Sequence, residues 1–232
     1  MAHRSKRMRQ VDQLVEEGKA YSLENAIQLL KKCPPVKFDQ SINISLQIGI
    51  DPKKSDQQVR GTVSLPHGTG QKIVVVVIAK GDKAKEAQAA EADFVGGDEM
   101  LEKIKAGWTG FSALITTPDM MREVGKLGKI LGPRGLMPTP KAGTVTNDVA
   151  KAVKEVKGGK IEFKADKTAS VNVAAGKLSF NAENLVENLQ VLLQAIAKTK
   201  PASAKGTFFR SLFLSSTMGP GLKIDLQTVQ TS

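Results

Sequence analysis

Groups able to do covalent or acid–base chemistry are few in this 232-residue chain. His3 and His67 are its two imidazoles. One lies in a basic terminus and the other in a Pro-Gly segment, so neither is expected to be held by the orienting carboxylate that general acid–base work requires. Cys33 is the one cysteine, which excludes an internal disulfide and any multi-thiolate metal site, fits a reducing compartment, and reads as a small buried filler rather than a reactive thiol. Carboxylates gather at Glu86, Glu91, Asp93, Asp98, Glu99 and Glu102, at spacings that put most of them on solvated helix faces rather than around a cation. The expectation is a chain with no catalytic residue, no metal and no cofactor.

Glycines before a helix can cradle phosphate, and two stretches invite that test. Gly68-Thr69-Gly70 precedes a strand, whereas a dinucleotide loop follows one and opens a helix. Gly128-Lys129 lacks the upstream glycine and is followed by Ile130 instead of Ser or Thr, so it is not an ATP-binding loop.

Non-covalent recognition is better supplied. The formal charge is +11 and the pI near 9.7, which favours a polyanionic partner. A membrane surface would want a basic amphipathic helix with a large aromatic or Leu face, and aromatics are only 4% of the chain, so nucleic acid is the favoured polyanion. Three segments have the right chemistry. From Gly125 to Thr144, glycines and prolines are mixed with Lys126, Lys129, Arg134 and Lys141; this reads either as a structural loop or as a nucleic-acid contact. Lys37-Phe38 sets an aromatic beside a cation just before a strand, where the ring is either core or a platform for a base. Thr217-Met218-Gly219-Pro220-Gly221 forms a hairpin tip. There Gly219 can take a positive φ, and the Thr217 hydroxyl and nearby amides can bond ribose hydroxyls or phosphate, although Gly-Pro-Gly also simply makes a turn.

The elements behind these segments come in two styles. Residues 41–50 alternate without a slip, Ile42, Ile44, Leu46, Ile48 and Ile50 against polar partners, which predicts a strand with one wet face. Val59, Val63 and Leu65 repeat the pattern, and the two are expected to pair in an open antiparallel sheet. Ile73 to Ala79 is instead an uninterrupted apolar run, as in a strand covered on both faces. Helix-like and strand-like pieces then alternate: 82–91 helix, 94–95 strand, 98–105 helix, 113–116 strand and 119–124 helix. After Gly158-Gly159 the first style returns at Ile161, Phe163, Val171, Val173, Leu222 and Ile224. Ser22 and Asn181 are placed to cap helices whose apolar stripes are Leu23, Ile27, Leu30 and Leu185, Leu189, Leu192, Ile196. The topology predicted is a first domain made of both termini, with an α/β unit inserted at hinges near 66–70 and 158–160. Val11 to Glu17 is too charged for a signal peptide, and no run reaches the ~20 apolar residues of a membrane span, so the expected location is cytoplasmic.

Long motifs then make the chain recognisable: Lys37-Phe38-Asp39, Gly49-Ile50-Asp51-Pro52, Val59 through Gly68, Ile130 through Pro138, Lys141-Ala142-Gly143-Thr144 and Thr217-Met218-Gly219-Pro220. With these the chain resembles the bacterial large-subunit ribosomal protein L-one family over nearly its full length.

The resemblance implies an α+β discontinuous two-layer domain with an inserted α/β Rossmann-like domain: domain I at 1–67 and 160–232, the main ribosomal RNA site, and domain II at 68–159. By motif, the RNA-binding residues it implies are Lys37, Phe38, Asp166, Lys167, Thr168, Ser211, Thr217, Met218 and Gly219, with Arg4, Lys6 and Arg7 adding phosphate contacts. Family members commonly carry glycine after the Asp-Lys-Thr turn, where this chain has Ala169. The implied role is to bind the large-subunit RNA of the mobile stalk near the exit site for tRNA, to assist release of deacylated tRNA, and to repress translation by binding its own operon mRNA. The chain is then ribosome-associated and a monomer when free, with no membrane partner. Two rivals remain at this point. A nucleotide-using enzyme built on the insert lacks the phosphate fingerprints, and a DNA-binding repressor lacks a recognition helix.

Overall fold

A computed structural model of the chain describes residues 5–16, 18–52, 54–204 and 206–227. His3 and Arg4 lie outside the described residues. In chain order the elements are α1 (Lys6–Leu14), β1 (Ala20–Tyr21), α2 (Leu23–Lys32), β2 (Ser41–Ile48), β3 (Arg60–Ser64), β4 (Val75–Ile78), α3 (Asp82–Ala89), β5 (Phe94–Gly96), α4 (Asp98–Lys105), β6 (Ala113–Thr116), α5 (Met121–Lys126), α6 (Gly128–Leu131), α7 (Val149–Lys157), β7 (Lys160–Lys164), β8 (Ser170–Lys177), α8 (Ala182–Lys198), β9 (Phe209–Ser216) and β10 (Gly221–Ile224). The described residues form a mixed α/β protein with three sheets. It divides into two compact units, Met1–Gly70 with Glu162–Ser232, and Gln71–Ile161.

In the first unit the alternation of β2 sets the architecture. Ile42, Ile44, Leu46 and Ile48 are buried while the residues between them stay half-exposed. The strand sits inside a five-stranded sheet ordered β1-β10-β9-β2-β8, antiparallel to both neighbours. Leu212, Leu214, Leu222 and Ile224 join the same buried face, and α2 and α8 cover it. Full burial of each such aliphatic side chain stabilises the fold by about 1.5–3 kcal/mol. Ser22 caps α2 by accepting the Asn25 N–H at 3.4 Å, and Leu23, Ala26, Ile27 and Leu30 turn inward. Asn181 occupies the equivalent place before α8 with extended backbone, but its side chain makes no capping bond.

The expected pairing of the two alternating strands does not occur. β3 pairs with β7 in a separate two-stranded sheet, because β2 is already flanked on both edges. Gly61 fits this arrangement: a Cβ there would lie 2.7 Å from the Phe163 ring, so the aromatic packs against bare backbone.

In the second unit β5-β4-β6 form a parallel sheet. Val75 and Val77 pack with Ala87, Ile115, Val149 and Val153 on one face. Val76 and Ile78 pack with Met100, Ile104, Leu114 and Leu131 on the other. Cover on both faces is why the run reads as continuously apolar. Residues 125–144 are not one open loop: they include α6 and a 3₁₀ turn at Pro140–Ala142. The six clustered carboxylates, Glu86 to Glu102, are all exposed. No helix among the described residues is long and apolar enough to cross a membrane.

Candidate nucleic-acid interface

The wet face of β2 is the spine of the site. Ser41, Asn43, Ser45 and Gln47 all point to it, and the six residue steps from the first to the last span about 20 Å. Their cross-strand neighbours are Ser215, Phe213 and Ser211 on β9 and Lys177, Ala174, Asn172 and Ser170 on β8. The surface is made mostly of hydroxyls and carboxamides, with Phe213 standing 40% exposed among them and the Lys177 ammonium donating to the Ser41 hydroxyl at 3.0 Å at one end. These groups hold one another: the Ser45 hydroxyl donates to Asn172 Oδ1 at 2.6 Å and the Ser170 hydroxyl to Gln47 Oε1 at 2.6 Å. Such a ladder offers donors and acceptors at fixed positions, as recognition of ribose hydroxyls requires.

One end of the spine is the hairpin between β9 and β10. The Thr217 hydroxyl accepts the Ser41 N–H at 3.0 Å and donates to the Ser41 carbonyl at 3.3 Å. The three consecutive tip amides all donate inward: Thr217 N–H to Ser41 O at 3.1 Å, Met218 N–H to Gln40 Oε1 at 3.0 Å and Gly219 N–H to Ser216 O at 3.0 Å. The tip therefore does not offer these three amides to a ligand, contrary to the expectation that amides near Thr217 bond ribose or phosphate. It offers the Met218 side chain, which is 50% exposed. Gly219 is not among the residues with positive φ. Its lack of a side chain answers an internal crowding instead, since a Cβ would lie 2.1 Å from the buried Ser216 Oγ.

Next to the tip, Phe38 is 52% exposed and belongs to a tightly tied segment. Asp39 accepts from the Ser179 hydroxyl at 2.8 Å and its N–H at 3.3 Å. Gln40 is buried, and Ser41 is clasped by Thr217. The ring is thus held out from a fixed backbone rather than packed into the core. Lys37 beside it is exposed.

At the far end lies the turn Asp166-Lys167-Thr168, all three exposed. Gln47 Nε2 donates to the Thr168 carbonyl at 2.9 Å, and Ser211 is the residue opposite Gln47 on β9, so the register sets Ser211 beside the strand position that holds the turn. Ala169 closes the turn with φ +59, a left-handed conformation that explains why glycine suits this position.

The terminal cations divide. Lys6 is exposed on α1, which Ser5 caps by accepting the Met8 N–H at 3.3 Å. Arg7 instead turns back and donates from Nη2 to the Met218 carbonyl. Sequence reasoning missed α1 altogether, and missed Asn43, Ser45, Gln47, Asn172, Phe213 and Ser215; their one signal was the composition of the wet half of an alternating strand.

Two smaller expectations are also settled by the geometry. His67 does have a carboxylate partner: its Nε2 lies 2.6 Å from Glu187 Oε2, because α8 passes beside the 66–68 turn. Cys33 is buried as a filler, its Sγ donating to the Leu29 carbonyl at 3.3 Å. Burial pushes its thiol pKa up, against a smaller opposing pull from Arg7.

Residues 29–220 match the sequence profile of the Ribosomal protein L1p/L10e family. The chain belongs to this family. It is similar to the large ribosomal subunit protein uL1 of Protochlamydia amoebophila, with 61% identity over 98% of this chain and 96% of that protein. Identity to the protein of the same name from Chlamydia abortus is 55% over the whole of both chains, and to that from Kosmotoga olearia 56% over 99% of each. Membership of the L1p/L10e family makes this a structural ribosomal protein rather than an enzyme.

Proposed function

We propose that the chain binds folded large-subunit ribosomal RNA through the open face of its first unit, from the hairpin tip to the Asp166-Lys167-Thr168 turn. The observation that carries this reading is the pair Phe38 and Met218, two large apolar side chains half-exposed on a backbone tied down by Asp39, Gln40 and Thr217. A stacked ring contributes about 1–3 kcal/mol per base, and the hydroxyl ladder below it reads ribose and shape rather than a duplex groove. Lys6, Lys37 and Lys167 supply phosphate contacts and a salt-dependent share of the affinity. Ser211 lies on the same face opposite Gln47, and Arg7 and Gly219 shape the tip from within.

In this reading domain I, residues 1–67 and 160–232, is the main RNA-binding domain. Domain II, 68–159, is an inserted Rossmann-like domain, a description supported by its three parallel strands and flanking helices. The RNA is that of the mobile stalk near the exit site. There the protein assists release of deacylated tRNA, and by binding a similar fold on its own operon mRNA it represses translation. It works in the cytoplasm on the ribosome and is a monomer when free. Competition between stalk RNA and duplex DNA of equal length tests the reading: RNA is expected to win by at least about 10³-fold, in the range of specific over non-specific binding, and equal competition defeats it.

A further inference from the structure

Gln40 has no part in the contacts assigned to RNA above. It is 3% exposed and stands just before β2, where its backbone carbonyl accepts the Leu178 N–H at 2.8 Å. Its side-chain Oε1 accepts the Met218 N–H at 3.0 Å. Of the three inward bonds made by the tip amides, the other two end on backbone carbonyls, of Ser41 and Ser216. Of the three tip amides, Met218's is the one held by a side chain. The Met218 carbonyl, on the other side of the same residue, is held by Arg7.

We propose that Gln40 is a positioning residue of the RNA site, acting through Met218; the proposal rests on the RNA reading above. Gln40 exposes only 3% of its surface and its Oε1 is engaged by the Met218 N–H, so its effect on binding passes through the residue it holds. Met218 carries an unbranched side chain with three rotatable bonds, and its backbone is flanked by Gly219. Without the tether the thioether samples many placements, and RNA selects one of them at an entropic cost to affinity. The tether removes that cost before the RNA arrives.

A double-mutant cycle on the full chain tests this, with a transcript of the large-subunit stalk RNA as the probe. Gln40→Met removes the acceptor at similar volume. It is expected to weaken binding about tenfold with Met218 present, one buried hydrogen bond's worth, and less than about twofold in a Met218→Ala background. Gln40→Asn, whose carboxamide is drawn back by one methylene, is expected to show the same pattern. Hydrogen exchange at the Met218 amide rises in both. Equal losses in the two backgrounds overturn the proposal, because they mean that Gln40 does not act through Met218. Failure of the unmutated protein to bind the transcript is a different result, which removes the RNA reading and this proposal with it.

Discussion

One hydroxyl joins the hairpin tip to the sheet: Thr217 Oγ1 lies 3.0 Å from the Ser41 nitrogen and 3.3 Å from its carbonyl oxygen. Both backbone groups of the residue that opens β2 are thereby bound to the residue that opens the turn. The tip is an extension of the sheet rather than a loose loop, and its predicted role in RNA binding depends on that.

Replacing Thr217 by Val keeps the shape and removes both bonds. Stalk-RNA affinity is expected to fall about tenfold or more, while stability drops by only about 1–2 kcal/mol. Filter binding and urea unfolding check the two halves; a stability loss with unchanged affinity contradicts the link.

Phe38→Ala removes a ring that is half in water, so thermal stability is expected to stay within a few degrees of the parent. The affinity loss is expected to be roughly 5- to 150-fold, the worth of one stacked base. The slope of log affinity against log salt should not change, because no phosphate contact is lost, whereas Lys37→Ala should reduce that slope by about 1. Salt titrations of the two variants separate the contributions.

Asn188 is fully buried in α8 and makes three bonds. Its Oδ1 accepts the His67 N–H at 3.2 Å, and its Nδ2 donates to Gly68 O at 3.1 Å and Ala175 O at 2.9 Å. Asn188→Ala orphans buried backbone groups and is expected to cost about 2–4 kcal/mol. Denaturant unfolding gives the loss, and faster cleavage within residues 65–70 by a protease locates it.

The Cys33 thiol, with its folded pKa raised by burial, remains protonated after the unfolded chain has begun to lose its proton. The folded state then binds more protons than the unfolded one, so stability is fully present below the unfolded value of about 8.5 and declines as pH rises through the folded value. Cys33→Ala is expected to flatten this alkaline decline in a series of thermal melts.

Local pattern announced much of the architecture, because alternation in β2 and the continuous run in β4 directly record which faces are covered. Pairing was less legible. The partners of β2 are β8 and β9, distant in the chain, and nothing in Arg60–Ser64 says that its own partner is β7. Helix α1 escaped notice because it buries only Val11. At the site, Phe38, Thr217 and Met218 stand out by motif, whereas Gln40, Gln47 and Asn172 are ordinary polar residues until the register lines them up. Ala169 shows the reverse case: the sequence oddity becomes physical only with its φ of +59. A β-branched residue there would be a still greater strain.

Met218→Asp tests the central claim most directly, because the side chain is half in water and the substitution sets a carboxylate where RNA phosphates are expected. Measured by filter binding to stalk RNA, affinity should fall at least about 30-fold, as for loss of a binding hot spot with added charge repulsion, with the circular dichroism spectrum and melting temperature of the parent retained. Affinity within twofold of the parent would show that the hairpin tip lies outside the RNA interface.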